Sequence, residues 1–279
     1  MSSSSQIIHA QSCRPFRPLH AKILSSLRER GWLATAWAAV LYLLRPWWFW
    51  WYDLTHGVST RHEVPLSQLN LPREAARYAL FYEASDGNCL KKLLRQLPID
   101  YEDFHFVDLG AGKGRSLCVA AEFPFRRIQG AELSPNLSET ARRNCRLFRS
   151  KAQRCNNFEV TCQNAAEFRF AEVPLVVYMF NPFNGVILAR ILENLEQSWN
   201  EHPRDMFVVY HNPVHAELVE NSPLFDVFLS GTDRWDYRKL GYKIYRAKPV
   251  ERGVLRSEVG PLGQMAQIPR QVSWDSVNP

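Results

Sequence analysis

The chain has 279 residues, 46% of them hydrophobic and 22% charged, with a net charge of +6. That length holds one α/β domain plus an appendage, and the apolar fraction excludes wholesale disorder. The six cysteines (Cys13, Cys89, Cys118, Cys145, Cys155, Cys162) form neither a CxxC pair nor a Cys/His metal spacing. This argues against zinc and for a reducing, cytoplasmic setting. A basic balance permits nucleic acid or anionic lipid as partner but requires neither.

The start, Met1-Ser-Ser-Ser-Ser, lacks the basic-then-apolar order of a secretory signal. Residues 1–20, polar with scattered prolines, read as a disordered tail, and 21–98 as an N-terminal helical arm and lid. From Ala21 to Leu44 apolar residues recur at helical spacing, and Pro46 is expected to end that helix. The segment Gly31–Tyr52 holds six of the nine tryptophans. Its uninterrupted apolar part, Gly31–Leu44, is shorter than the ~20 residues of a spanning helix. The Trp32–Tyr52 stretch reads as aromatic packing in the core or a groove of the domain, as a peripheral membrane contact, or, last of the three, as a true span. Residues 53–72 read as loop, Arg73–Tyr82 as a second helix, and Cys89–Gln96 as a third, stopped by Pro98.

Residues 99–248 then alternate. Strands are predicted at Phe104–Leu109, Arg127–Ala131, Phe158–Gln163, Leu175–Phe180, Met206–Tyr210, Phe225–Leu229 and Tyr242–Arg246. Helices are predicted at Ser116–Glu122, Leu137–Arg149, Val186–Trp199 and Val214–Glu220. Such alternation gives an α/β fold, a doubly wound, mostly parallel seven-stranded sheet with helices on both faces. The last two strands have no helix between them and read as a terminal antiparallel hairpin. Residues 249–279 read as a loose C-terminal extension.

The first predicted strand runs into Asp108-Leu109-Gly110-Ala111-Gly112-Lys113-Gly114-Arg115, and the second ends at Glu132. In a doubly wound sheet, ligands sit beyond the carboxyl ends of the strands, where strand order reverses. Glycine there admits positive φ and lets the backbone approach a ligand without a Cβ, and the following helix offers free N–H groups. The spacing is GxGxG rather than the GxGxxG of dinucleotide sites. A carboxylate just ahead of the turn suits an ammonium better than a pyrophosphate. Glu132, about 20 residues beyond the glycines, is placed to accept ribose hydroxyls.

These residues resemble the class I S-adenosylmethionine-dependent methyltransferases, and more narrowly an uncharacterised bacterial group within them. The likeness rests on VDLGAGKGR (107–115), AAEFPFRRIQGAELSP (120–135), ARRN (141–144) and YMFNPF (178–183), and extends upstream to HGVSTRHEVPLSQL (56–69). It implies a Rossmann-like methyltransferase fold and S-adenosyl-L-methionine as cofactor. Asp108, Gly110, Ala111, Gly112 and Gly114 would line the methionine and ribose end, Glu132 would hold the ribose, and Leu133 would contact the adenine. At the end of the third strand, Asn164 and Ala165 stand where many members carry an aspartate, and an amide carbonyl can accept the same hydrogen bond.

The fourth strand ends in Asn181-Pro182-Phe183. Related enzymes that modify planar nitrogens carry an Asn/Asp-Pro-Pro-aromatic motif there, and a distant likeness to non-SET lysine methyltransferases points to an amine acceptor. Asn181, Pro182 and Phe183 are therefore the candidate catalytic residues, although an Asx turn would also place Asn181. His211, Tyr82 and Glu83 are candidates for a base, should the acceptor need one. The acceptor reads as a protein amine or a small molecule, with lipid and glycan close behind. The cluster Arg142, Arg143, Arg146, Arg149, Lys151 and Arg154 would suit nucleic acid, but a solvated helix face explains it as well, and nucleic acid is not the expected acceptor. A non-catalytic scaffold that kept the cofactor site is the alternative of another class.

Overall fold

The computed structural model describes residues 19–61, 64, 69, 87–180, 183–233 and 240–249. The predicted helix at Arg73–Tyr82 and the extension 249–279, apart from Pro249, lie outside them. Seven strands, β1 (His105–Leu109), β2 (Arg127–Glu132), β3 (Phe158–Cys162), β4 (Leu175–Phe180), β5 (Met206–His211), β6 (Phe225–Thr232) and β7 (Gly241–Ala247), form one sheet in the order β3-β2-β1-β4-β5-β7-β6. The pairs β1–β2, β1–β4, β2–β3 and β4–β5 are parallel. β7 inserts antiparallel between β5 and β6, so the two last strands close the sheet as a hairpin. This is the doubly wound seven-stranded architecture that the alternation predicts. The order reverses between β1 and β4, and sheets of this kind place ligands beyond the carboxyl ends of the strands at such a point.

Among the described residues the α-helices are α1 (Leu19–His56), α2 (Gly87–Leu94), α3 (Arg115–Ala120), α4 (Pro135–Leu147), α5 (Gly185–Glu201) and α6 (Ala216–Glu220). Period-2 alternation in the central strands sends residues to two separate apolar layers. On one side Phe106, Ile128, Val176, Tyr178, Phe207 and Val209 pack with Leu90, Leu93 and Leu94 of α2 and Leu117 of α3. On the other, Val107, Leu109, Leu175, Val177, Met179 and Val208 pack with Leu188, Ile191, Leu192 and Leu195 of α5. Ser134 caps α4 and Asn184 caps α5, accepting from the backbone N–H of Leu137 and Ile187 respectively.

The first helix corrects two expectations. It begins at Leu19, inside the segment read as tail, and it does not stop at Pro46 but runs through it to His56. Proline inside a helix removes one hydrogen bond and costs about 3 kcal/mol. The turn that follows it is held instead by tertiary contacts of Phe49, Tyr52 and Asp53, described below. The backbone breaks at Gly31 (φ 77°, ψ 170°), separating a short basic helix from a 25-residue aromatic one. Gly57 (φ 69°) then ends the helix, with Asp53 accepting from the backbone N–H of Thr60 and Arg61.

Candidate cofactor site

The turn after β1 is built on three glycines with positive φ: Gly110 (87°), Gly112 (53°) and Gly114 (79°). A side chain at any of them would be strained, and a Cβ on Gly114 would stand 3.1 Å from the Ala141 Cβ of α4. Sequence alone sees the three glycines, and the dihedrals show why each is needed. The turn is held from β2, where the N–H groups of Gly110 and Ala111 both donate to the Ala131 carbonyl. Gly130 lies opposite Asp108 in the register. A Cβ there would come within 2.9 Å of Leu117, so its absence lets α3 settle on the sheet.

Two carboxylates face this turn. Glu132 Oε2 accepts from the Gly112 N–H at 2.8 Å, and Oε1 accepts from the Ser134 N–H at 2.8 Å. Each oxygen keeps a further acceptor position. Burial raises the Glu132 pKa, while the N–H bonds from Ser134 and Gly112 oppose that rise. Asp108 is 2% exposed and accepts a hydrogen bond from the Ser116 hydroxyl. Burial lifts it from 3.8 to about 7, with Ser116 lowering and the Glu132 charge raising it. Near neutrality, therefore, Asp108 is poised between neutral and charged, and a cation placed beside it would draw it to the charged form.

The cations of the motif serve a different partner. Arg115 pairs with Asp53 of α1 at 3.8 Å, and its guanidinium lies between the rings of Phe49 and Tyr52, 4.0 and 4.2 Å from their centroids. Burial lowers the pKa of Lys113, and the Asp53 carboxylate partly offsets that. Asp53 is thus the carboxylate that Arg115 pairs with and that favours the charged form of Lys113. Asn144 ties the same elements together. Its amide donates to the carbonyls of Lys113 (2.8 Å) and Ser59 (3.1 Å), and its oxygen accepts from the Ser59 N–H. Ser134 Oγ donates to the Leu69 carbonyl, so the upstream segment touches the end of β2.

Arg115, Asp53, Ser116 and Asn144 were not singled out for roles by sequence reasoning. The signal for Arg115 was a cation directly after the turn, with an aromatic cluster upstream that had no assigned partner. Of the residues that were singled out, Asp108, Gly110, Ala111, Gly112, Gly114 and Glu132 converge on one turn. Leu133 is half-buried beside it. Asn164 caps the short 3-10 turn Ala165–Glu167, its side-chain oxygen accepting from the Ala166 N–H, and Ala165 is buried. The Asn164 carbonyl is thus already committed once to its own backbone.

Asn181 and Pro182, like Tyr82 and Glu83, lie outside the described residues. Phe183 is half-buried against the apolar layer on the α5 side of the sheet. His211, at the end of β5, is fully buried. Its ring lies 4.7 Å from that of Phe180, with the Tyr178 hydroxyl 3.4 Å from Nδ1 and the Cys89 sulfur 3.8 Å from Nε2. His211 is thus enclosed by side chains of β4 and α2. Among the described residues, no group of three or more His, Cys, Asp or Glu could hold a metal ion.

No protein-family model matches the chain, and no curated protein matches it in sequence. Solved structures do. The chain is similar to the 23S rRNA methyltransferase ErmE, with 16% identity and a TM-score of 0.42 over 60% of this chain and 70% of that one. It is similar to phosphoethanolamine N-methyltransferase 1 of Haemonchus contortus, with 17% identity and a TM-score of 0.43, over 58% of this chain and 42% of that one. It is also similar to the glycopeptide N-methyltransferase MtfA, with 12% identity and a TM-score of 0.44, over 60% of this chain and 96% of that one. This chain therefore spans less than half of the phosphoethanolamine enzyme it matches.

Proposed function

We propose that this protein is an S-adenosylmethionine-dependent methyltransferase. The observation that carries the reading is a glycine turn, open to close backbone approach and flanked by two buried carboxylates, with Arg115 paired to Asp53 of α1. A pyrophosphate would meet Asp108 as a like charge, whereas a cationic amino-acid cofactor would be attracted to it. The donor set fits: Asp108 would take the ammonium, Glu132 the ribose hydroxyls, and Leu133, Asn164 and Ala165 the adenine. When bound, S-adenosylmethionine supplies an electrophilic methyl group on a sulfonium. The chain's own task is then to align an acceptor and exclude water, which can provide most of the acceleration.

The acceptor we assign first is an amine, as on a protein lysine, received beside Asn181, Pro182 and Phe183. An amine that arrives as its free base needs no strong base from the enzyme, which suits a fully buried His211. A second reading, a small metabolite, lipid or glycan, is favoured by the exposed aromatic helix that Arg115 fixes to the glycine turn. Radiolabelled methyl transfer into a fractionated lysate separates these readings. Label in protein supports the first and label in lipid or small molecules the second. No label in any fraction, with the cofactor bound, supports a non-catalytic scaffold.

A further inference from the structure

The 25 residues of α1 beyond Gly31 are packed inside out. The positions turned inward follow one narrow stripe: Ala34, Thr35, Ala38, Leu41, Phe49, Tyr52, Asp53 and His56. The stripe contains Thr35, Asp53 and His56, while the described polar residue left exposed is Thr55 in the last turn. Every described exposed residue from Trp32 to Leu54 is apolar or aromatic. Trp32 is 71% exposed, Leu43 69%, Trp47 66% and Trp51 61%. A helix facing water shows the opposite pattern, and contiguous apolar surface of this kind marks an interaction site.

We infer that this helix lies in the surface of an anionic lipid bilayer. Three observations favour lipid over a protein partner. The exposed apolar positions cover more than half of the helix circumference, whereas a partner helix or a second copy would cover a stripe of about 100°. The exposed set is rich in tryptophan, whose amphipathic ring suits the headgroup layer. The charge is complementary: residues 14–52 carry Arg14, Arg17, Lys22, Arg28, Arg30 and Arg45 against Glu29 alone. Basic residues beside an apolar helix are drawn to anionic headgroups. Among the described residues no helix is long and apolar enough to cross a membrane, and a helix of about 37 Å suits a position along the surface. The Arg115 clamp joins this helix to the glycine turn, so docking would hold the turn beside the bilayer. The inference stands on the helix alone and is independent of the methyltransferase reading.

Co-sedimentation and tryptophan emission of the full chain with vesicles test it. Phosphatidylcholine vesicles containing phosphatidylglycerol should bind the protein and shift its emission to the blue. Pure phosphatidylcholine should bind it more weakly, and raising salt from ~0.1 to ~0.5 M should weaken binding about tenfold or more. Replacing Trp47 and Trp51 together by alanine should lower vesicle binding by at least about tenfold. Both are well exposed, so an unchanged thermal transition should show that the variant folds. Failure of the full chain to bind either vesicle would overturn the inference, as would binding unaffected by the double replacement. Concentration-dependent dimers lost in the double variant, without vesicle binding, would also overturn it and assign the face to a second copy.

Discussion

Replacing Asp108 with asparagine removes a buried charge while keeping the side chain's shape and the oxygen to which Ser116 donates. In the folded chain burial lifts this carboxyl from 3.8 to about 7. Between those values the folded protein keeps a proton that the unfolded chain has released, so stability falls as pH rises through that window. Below about pH 4 Asp108 is neutral in both states, and the cost is absent. Above about pH 7 it is fully present. A rise of about three units, at 1.36 kcal/mol each, amounts to on the order of 4 kcal/mol. The asparagine variant should therefore gain ~2–4 kcal/mol over the wild type near pH 8 and almost nothing near pH 4. Denaturant unfolding across that range measures the difference directly. The same variant should bind the methyl donor more weakly, because an amide cannot neutralise an ammonium. A stability difference that stays constant from about pH 4 to about pH 8 would refute the assignment of a strained, function-bearing carboxyl.

Further outcomes follow from the same geometry. Donor affinity in the wild type should rise with pH up to about 7 as Asp108 ionises, with proton uptake or release visible when buffers of different ionisation enthalpy are compared; a flat profile would remove Asp108 from the ligand. Glu132→Gln leaves one of the Gly112 and Ser134 N–H groups facing an amide NH₂ and should cost ~1–3 kcal/mol in both stability and donor affinity, with unchanged affinity refuting the ribose role. Gly114→Ala forces a Cβ at φ 79° against Ala141 and should lower stability by ~1–3 kcal/mol, read from the unfolding midpoint. Arg115→Met should destabilise by ~3–5 kcal/mol, since it leaves Asp53 buried beside Phe49 and Tyr52 without its guanidinium, and should expose the end of α1 to protease. Wild-type resistance in that variant would mean the clamp does not hold the helix.

How much of this could be read from the sequence differs by region. The strands were legible because β4 and the Met206–Tyr210 part of β5 are continuous apolar runs buried on both faces, and the turn was legible because only glycine fits its dihedrals. The place of Glu132 at the end of β2 was legible from its distance along the chain. The role of Asp53 was not, because it meets Arg115 across 62 residues and nothing local marks the pairing. The course of α1 was misjudged at Pro46 for a related reason. Helix propensity is local, while the cation–π sandwich that secures the following turn is tertiary. His211 looked like a base at a strand end, and only its burial under Phe180 and Tyr178 removes it from the surface. Asn164 kept its predicted place at the end of β3, but its side-chain oxygen turned out to cap the next turn.

Titration calorimetry with S-adenosylmethionine and with S-adenosylhomocysteine, near pH 8, tests the central claim most directly. Both should bind at one site, and Glu132→Gln should weaken both. Absence of heat at ~1 mM ligand, a concentration that would still reveal binding worth about 4 kcal/mol, would contradict it.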